Sequence, residues 1–479
     1  MILRRFYDDK LAQASYLVGC GESGEALVVD PNRDPAPYLA AAAAEGLRIT
    51  HVTETHVHAD FVSGARELAR AAGATLLLSG DGDPAWGYTY AAADGATLLH
   101  DGDAIRIGRV RVDVMHTPGH TPEHLSFLVT DTAAADRPMG AFTGDFVFVG
   151  DVGRPDLLEK AVRVAGSADA AARDLYRSLQ RFRRLPDFLQ LWPGHGAGSA
   201  CGKALGAVPQ TTLGYEKLFN AAFQADGEEE FVAMVLAGQP EPPRYFAQVK
   251  RINRDGPPVL GGFTRPPRLA DERLHAVLAS GAPVLDTRAT AAFGAGYVPG
   301  TLNVPLNRAF NTWAGWLLPY EADFYLIVDD ARVDEAVRDL AFIGLDRIAG
   351  TFTPSAVETW ASSQPLDTIP TITAAELRAR MEAGSVDVLD VRGLNEWQEG
   401  HLPGVPNIPV GFLAERLGDV PTGRPLVLQC QGGARSAIAA SVLRSLGVRD
   451  VVNLAGGYRE WQDAGFPVET EAAEEPAIA

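Results

Sequence analysis

Val284-Leu285-Asp286-Thr287-Arg288 returns further along the chain as Val388-Leu389-Asp390-Val391-Arg392. Asp286 recurs as Asp390, Gly300 as Gly404 and Asn303 as Asn407, a constant offset of 104 residues. A gapless repeat of that length is domain-sized, so the second half of the chain holds two copies of one domain and not a solenoid, whose periods are shorter. Each copy alternates helix and strand. A helix (270–280; 374–383) precedes a short apolar strand ending in Asp-x-Arg, and after a turn comes a second apolar strand (324–328; 426–429). A helix over 437–446 follows in the second copy. This alternation predicts an α/β fold whose parallel sheets are covered on both faces.

Prolines mark the joints, at Gly256-Pro257-Pro258, Arg265-Pro266-Pro267 and between Pro365 and Pro370. They divide the 479 residues into 1–255, 262–365 and 370–468, with an acidic tail, 469–479, expected to be disordered. A net charge of −19 argues against nucleic acid or an anionic membrane as partner. The charged N-terminus and the lack of long apolar runs argue against secretion and membrane spans. Three scattered cysteines cannot frame a disulfide scaffold, so a cytoplasmic location is expected and each thiol is a possible reagent.

Histidine is concentrated at the front: eight of ten lie before residue 200. The densest run, His56-Val57-His58-Ala59-Asp60-Phe61, puts two imidazoles and a carboxylate within five residues at a strand end, a metal-binding density of ligands. Further predicted strands end in Thr117-Pro118-Gly119-His120, Gly144-Asp145 and Gly194-His195, where Pro and Gly fix tight turns at one rim of a sheet. This ordered set resembles the metallo-β-lactamase superfamily. The finer pattern, with Thr143-Gly144-Asp145 and Gly150 to Asp156, resembles the persulfide dioxygenases within it. The resemblance covers most of residues 1–250 and implies an αββα sandwich, with one Fe(II) per chain held by His56, His120 and Asp145.

Two imidazoles and one carboxylate, with positions left open, suit non-haem Fe(II) on chemical grounds as well. His58 is expected as a near-ligand. Asp60 and His195 belong to a second-metal side, where Phe61 stands in place of a histidine ligand. His124 is a candidate for orienting a ligand or water. Arg154, in Val152-Gly153-Arg154-Pro155-Asp156, reads as a structural ion pair or, as the resemblance implies, as a residue by the carrier group of the substrate thiol. Cys201, six residues after His195, is expected near the same rim and is a candidate for sulfur chemistry. His51, His100 and His116 read as surface or turn residues.

In the second copy of the repeat, Cys430-Gln431-Gly432-Gly433-Ala434-Arg435 joins a buried strand to a helix. A cysteine there faces unpaired backbone amides and the positive end of the helix dipole, and both stabilise a thiolate. Glycines allow an anion nest and Arg435 adds a fixed charge. The loop, with Gly400-His401-Leu402-Pro403-Gly404 and Asn407-Ile408-Pro409, resembles the rhodanese family of sulfurtransferases. Carried over, Cys430 is the sulfur-carrying nucleophile and Gln431, Gly432, Gly433, Ala434 and Arg435 form its cradle, while His401 is structural. A phosphatase or arsenate-reductase loop also uses cysteine, glycines and arginine, but normally has one more residue before the arginine. The first copy has Asp329-Asp330-Ala331-Arg332 at the matching place and reads as an inactive module, a spacer or assembly surface, with Trp313 and Trp316 packing against a neighbour.

The combined expectation resembles the fused sulfide-detoxification proteins of bacteria. It is a dioxygenase turning a low-molecular-weight thiol persulfide and dioxygen into sulfite and thiol, coupled to sulfite–thiosulfate interconversion at Cys430. A symmetric homo-oligomer is expected. The competing readings are a binuclear thioester hydrolase of the glyoxalase II kind and a sulfur-carrier scaffold with an inert metal domain.

Overall fold

The computed structural model describes residues 1–83, 85–162, 166–203 and 205–471. The chain divides into two compact units, one of residues 1–263 with 338–344, the other of 264–337 with 345–479.

The first unit is built on two six-stranded sheets. One runs Ile2–Asp8, Gln13–Cys20, Glu25–Val29, Arg48–Thr53, Thr75–Ser79, Thr97–Leu99, antiparallel at first and parallel from Glu25 onward. The other, in spatial order, runs Thr211–Thr212, Gln190–Pro193, Gly140–Gly144, Leu125–Asp131, Val110–His116, Ala104–Ile107. Side chains alternate across a strand, and the sequence uses both faces. Tyr16, Val18, Leu27 and Val29 point to Val112, Val114, Phe127 and Trp192 of the other sheet. Leu17 and Val28 point outward, under helices Ala36–Ala44 and Ala65–Ala72. Ala141 and Leu191 lie under helix Ser167–Phe182 on the far side. The result is the expected αββα sandwich. Truncating a fully buried ring such as Phe127 to alanine removes about 3–5 kcal/mol, which shows how firmly the sheets hold the loops at their rim.

The second unit carries the two repeat copies. The sheet of the first runs Leu302–Asn303, Val284–Asp286, Phe324–Ile327, Ile348–Phe352, and that of the second runs Thr371–Ile372, Val451–Leu454, Leu426–Gln429, Asp387–Asp390. All these pairings are parallel. Single parallel bridges, Arg268 to Thr351 and Asp390 to Asn407, supply the fifth position each sheet lacks, so both copies have one topology. Trp316 lies on Gly411 and edge-on to Phe412 at 5.3 Å, so the neighbour it packs against is the second copy.

Two expectations shift. The helix after Cys430 begins at Ala434, three residues early, because Gly433 takes φ +87° and turns the chain directly into it. The expected loose tail starts later than residue 469, because Glu469 bridges His401 through two backbone bonds of 2.8 and 2.9 Å. Residues 472–479 lie outside the described part.

Candidate metal centre and cysteine loop

Five strands of the first unit deliver the site, each ending just before a ligand-type side chain: Asp30, the 56–60 run, His120, Asp145 and His195. Gly144 adopts φ +47°, and a Cβ there would fall 2.5 Å from Thr55 Oγ1 and 2.8 Å from His124 Nε2, so only glycine lets Asp145 approach.

His56, His120 and Asp145 are buried, and one ligand atom from each lies within 4.8 Å of the others. Asp145 Oδ2 is 3.8 Å from His56 Nε2 and 3.5 Å from His120 Nε2. The Nδ1 atoms are already taken: Thr55 Oγ1 lies 2.9 Å from that of His56, and the Arg154 carbonyl 3.0 Å from that of His120. Both rings therefore aim Nε2 inward, the arrangement that partners behind a metal-bound histidine impose. Burial and the neighbouring cations hold both imidazoles well below their usual pKa, in the neutral form that can donate a lone pair. Burial pushes Asp145 up to about 6. His56 Nε2 and both Asp145 oxygens have no hydrogen-bond partner despite burial, as do His58 Nδ1, His195 Nε2 and both Asp60 oxygens. So many orphaned donor atoms in one place fit a bound cation.

A second buried group, Asp60, His195 and Cys201, adjoins the first through Asp145, whose Oδ1 is 3.5 Å from His195 Nε2. Cys201 thus sits at the rim, as its spacing from His195 predicts. Burial, with Asp60 and Asp145 beside it, drives its thiol well above the usual range, which favours the neutral thiol. His58 lies with its ring 4.2 Å from that of His56 and its Nε2 3.1 Å from Asp30 Oδ1. Burial opposes its protonation, but Asp30 prevails and raises it to about 9. Phe61 is fully buried with its ring 4.4 Å from that of His58. His124 holds Thr117 through Nδ1 and accepts from the Asp145 amide through Nε2 at 3.2 Å, which fixes the ligand's backbone. Of the three histidines expected at turns or on the surface, His100 is exposed and bonded to Asp81. His51 instead is half-buried within strand Arg48–Thr53 against Thr50, and His116 ends strand Val110–His116 half-buried against the Pro122 carbonyl.

Sequence reasoning passed over Asp30, which accepts from the Thr55 amide at 2.6 Å and Thr55 Oγ1 at 2.9 Å as well as meeting His58. The signal was available: a strand ending in Asp, the same cue that singled out Asp145. Glu123, which anchors the Val57 amide at 2.8 Å, stood inside the His120–His124 run. Glu54, pushed up to about 8 by burial, and the buried Lys250 gave no pattern of their own.

In the second unit Cys430 is 1% exposed, and its Sγ accepts from the Gly433 amide at 3.2 Å and Ser436 Oγ at 3.4 Å. Arg435 is paired bidentately with Glu396, both bonds 2.6 Å. Gln431 Oε1 accepts from Arg392, which is itself clamped on Asp390. The carbonyls of Cys430 and Gln431 are taken by the amides of Tyr458 and Arg459, which pins the loop's far side. Beside the loop lies a cavity of about 500 Å³, lined by Gly432, Gly433 and Ala434 and by Thr290, Ala291 and Gly294 of the first copy.

Comparison with known proteins matches residues 8–195 to the metallo-beta-lactamase superfamily and 373–464 to the rhodanese-like domain. The human mitochondrial persulfide dioxygenase ETHE1 is 31% identical over 197 residues, 41% of this chain and 68% of that protein. A hydroxyacylglutathione hydrolase of Rhodopseudomonas palustris (strain BisB18) is 30% identical over 252 residues, 52% of this chain and 85% of that protein. Among solved structures, one titled a metallo-beta-lactamase from Staphylococcus aureus is 42% identical, with a TM-score of 0.67, covering 74% of this chain and 99% of that one.

Proposed function

Because the chain belongs to the metallo-β-lactamase superfamily, in the persulfide dioxygenase–rhodanese type of fusion, we propose that it oxidises a small-molecule thiol persulfide with dioxygen and passes sulfane sulfur through Cys430. The observation that carries this reading is the inward-facing trio His56, His120 and Asp145, and Phe61, an apolar ring packed on His58 in the ligand-rich run, supports a single metal. Iron(II) held by these three residues would supply open positions where the terminal sulfur and dioxygen meet. The balance is R–S–SH + O2 + H2O giving R–SH + sulfite + 2 H⁺.

The chain's own residues keep the site dry and fixed. Thr55 and the Arg154 carbonyl hold the two ring tautomers, and His124 holds the Asp145 backbone. At the cysteine loop, Cys430 as a persulfide gives its outer sulfur to sulfite, releasing thiosulfate and the Cys430 thiol, or runs in reverse. Gln431 to Ala434 form the cradle, and Arg435 is the loop's cation, its charge offset by Glu396. Linking both steps in one chain raises the effective concentration of the second partner.

One observation favours a second reading. Asp60, His195 and Cys201 form a further cation-sized group, and a binuclear thioester hydrolase would use it. Oxygen uptake by Fe(II)-loaded protein on glutathione persulfide, read with S-lactoylglutathione hydrolysis and metal content, separates the two. Uptake lost in His120→Ala with about one iron per chain supports the dioxygenase. Thioester hydrolysis with two metals and no uptake replaces it.

A further inference from the structure

Of the two readings that sequence allows for Arg154, the structure favours the ion pair: its side chain is 0% exposed and faces the protein. Nε and one Nη grip Asp156 at 2.8 and 2.7 Å, and the same Nη donates to the Pro240 carbonyl at 2.7 Å. The other Nη donates to the Ala200 carbonyl at 3.3 Å. The backbone of Arg154 is equally engaged: its amide donates to the Cys201 carbonyl at 3.3 Å, and its carbonyl accepts from His120 Nδ1 at 3.0 Å. The residue before it leaves no slack, since a Cβ on Gly153 would lie 1.7 Å from the Asp145 carbonyl oxygen and 3.0 Å from His120 Cβ. Desolvating a guanidinium is costly unless its donors are met, and here the bidentate carboxylate and two carbonyls meet them.

We propose that Arg154 is a positioning residue: it ties the His120 ring to the Ala200–Cys201 turn, and so fixes the Cys201 thiol against Asp60 and His195, without touching substrate. The proposal rests on the metal-centre reading for His120 alone; the hold on Cys201 stands apart from it. Whatever the carrier thiol, Arg154 then acts through a ligand's orientation and a thiol's burial. A residue that bound the carrier would discriminate between carriers instead.

The test uses the full chain with Arg154→Met, Arg154→Lys and Asp156→Asn. Three readouts are taken: Co(II) affinity with the visible spectrum of the Co(II)-loaded protein, the rate of Cys201 alkylation by iodoacetamide under native conditions, and KM against kcat on glutathione persulfide and coenzyme A persulfide. Outright loss of a partner behind a ligand lowers metal affinity about ten- to a hundredfold; Arg154→Met keeps the carbonyl behind His120 but frees its position, so it should weaken Co(II) by less than that, about three- to tenfold, and alter its spectrum. Cys201 alkylation should accelerate, and KM should change by one common factor for both persulfides. Arg154→Lys should restore part of each effect, and Asp156→Asn should show the same pattern more weakly. Should Arg154→Met fail to fold, Asp156→Asn decides by the same readouts. Unchanged Co(II) binding and alkylation, with KM raised for one carrier only, overturns the proposal. If His120→Ala leaves wild-type Co(II) binding untouched, the metal-centre reading has failed instead, and faster alkylation in Arg154→Met still upholds the hold on Cys201 while unchanged alkylation refutes it.

Discussion

The two copies in the second unit share one topology and one set of scaffold hydrogen bonds, and they differ most at one loop. In each, the arginine of Asp-x-Arg grips the aspartate through Nε and Nη2, with the last bond 2.7 Å, and donates on to a glycine carbonyl, Gly296 or Gly400. In each, an asparagine, Asn303 or Asn407, caps the carbonyls of both residues. Beyond the central strand one copy turns through glycines into a helix, and the amide of its cap residue Gly433 and the hydroxyl of Ser436 donate to Cys430. The other enters Asp329-Asp330, and Arg265 pairs with Asp330. Scaffold bonds are thus retained where the sheet needs them, whatever happens to the chemistry. The structure of the first copy is put to a different use: its Trp316 and Thr290 to Gly294 segment pack against or line the second.

The largest effect should come from Cys430→Ser, which removes the nucleophile and should lower thiosulfate:cyanide sulfur transfer by about a thousandfold or more. Adding Val328→Cys in the first copy should restore none of it, because Asp329 and Asp330 repel an anion where Gly432 and Gly433 admit one. Recovery in the double variant would break the comparison, by showing that the cysteine alone separates the copies.

The same contrast shows what sequence could and could not carry. The 104-residue offset of the Asp-x-Arg, Gly and Asn positions marked two copies of one fold. The central strands Phe324–Ile327 and Leu426–Gln429 nevertheless stand 102 apart, because the first copy gains two residues between Asn303 and its central strand relative to the second. Ligand types at strand ends marked the metal rim because a sheet brings its loops together. The direction of a long side chain is not written that way. Arg154 could be read as a structural ion pair or as a carrier-binding residue, and only the structure shows its side chain turned onto Asp156, two residues on. The cue was an Arg-x-Asp mirroring the Asp-x-Arg of the repeat. Trp316 finds Gly411 across 95 residues, and nothing local at either position announces it.

A middle-sized effect tests that contact. Trp316 is half-buried, so Trp316→Ala should cost about 2 kcal/mol, below the 3–5 of a fully buried ring. Urea unfolding followed by a probe in the second unit reads it, and the metal site should be unmoved. If stability stays put while sulfur transfer falls, the first copy serves the loop and not the fold.

The smallest effect sharpens the comparison at Glu396. Its bidentate hold on Arg435 neutralises the cation that an incoming oxyanion would use. Burial opposes ionisation of Glu396, but Arg435 prevails and holds the carboxyl below its usual 4.5, so the pair is intact at neutral pH. Glu396→Gln should free the guanidinium and raise kcat/KM for dianionic thiosulfate by a few-fold, within about 1 kcal/mol, with less change for glutathione persulfide. A carboxyl with a lowered pKa keeps its charge until pH falls through that lowered value. The wild type should therefore show the thiosulfate gain only well under pH 4.5, whereas the variant shows it at pH 7. Equal changes for both substrates would mean that Glu396 shapes the loop without tuning its charge.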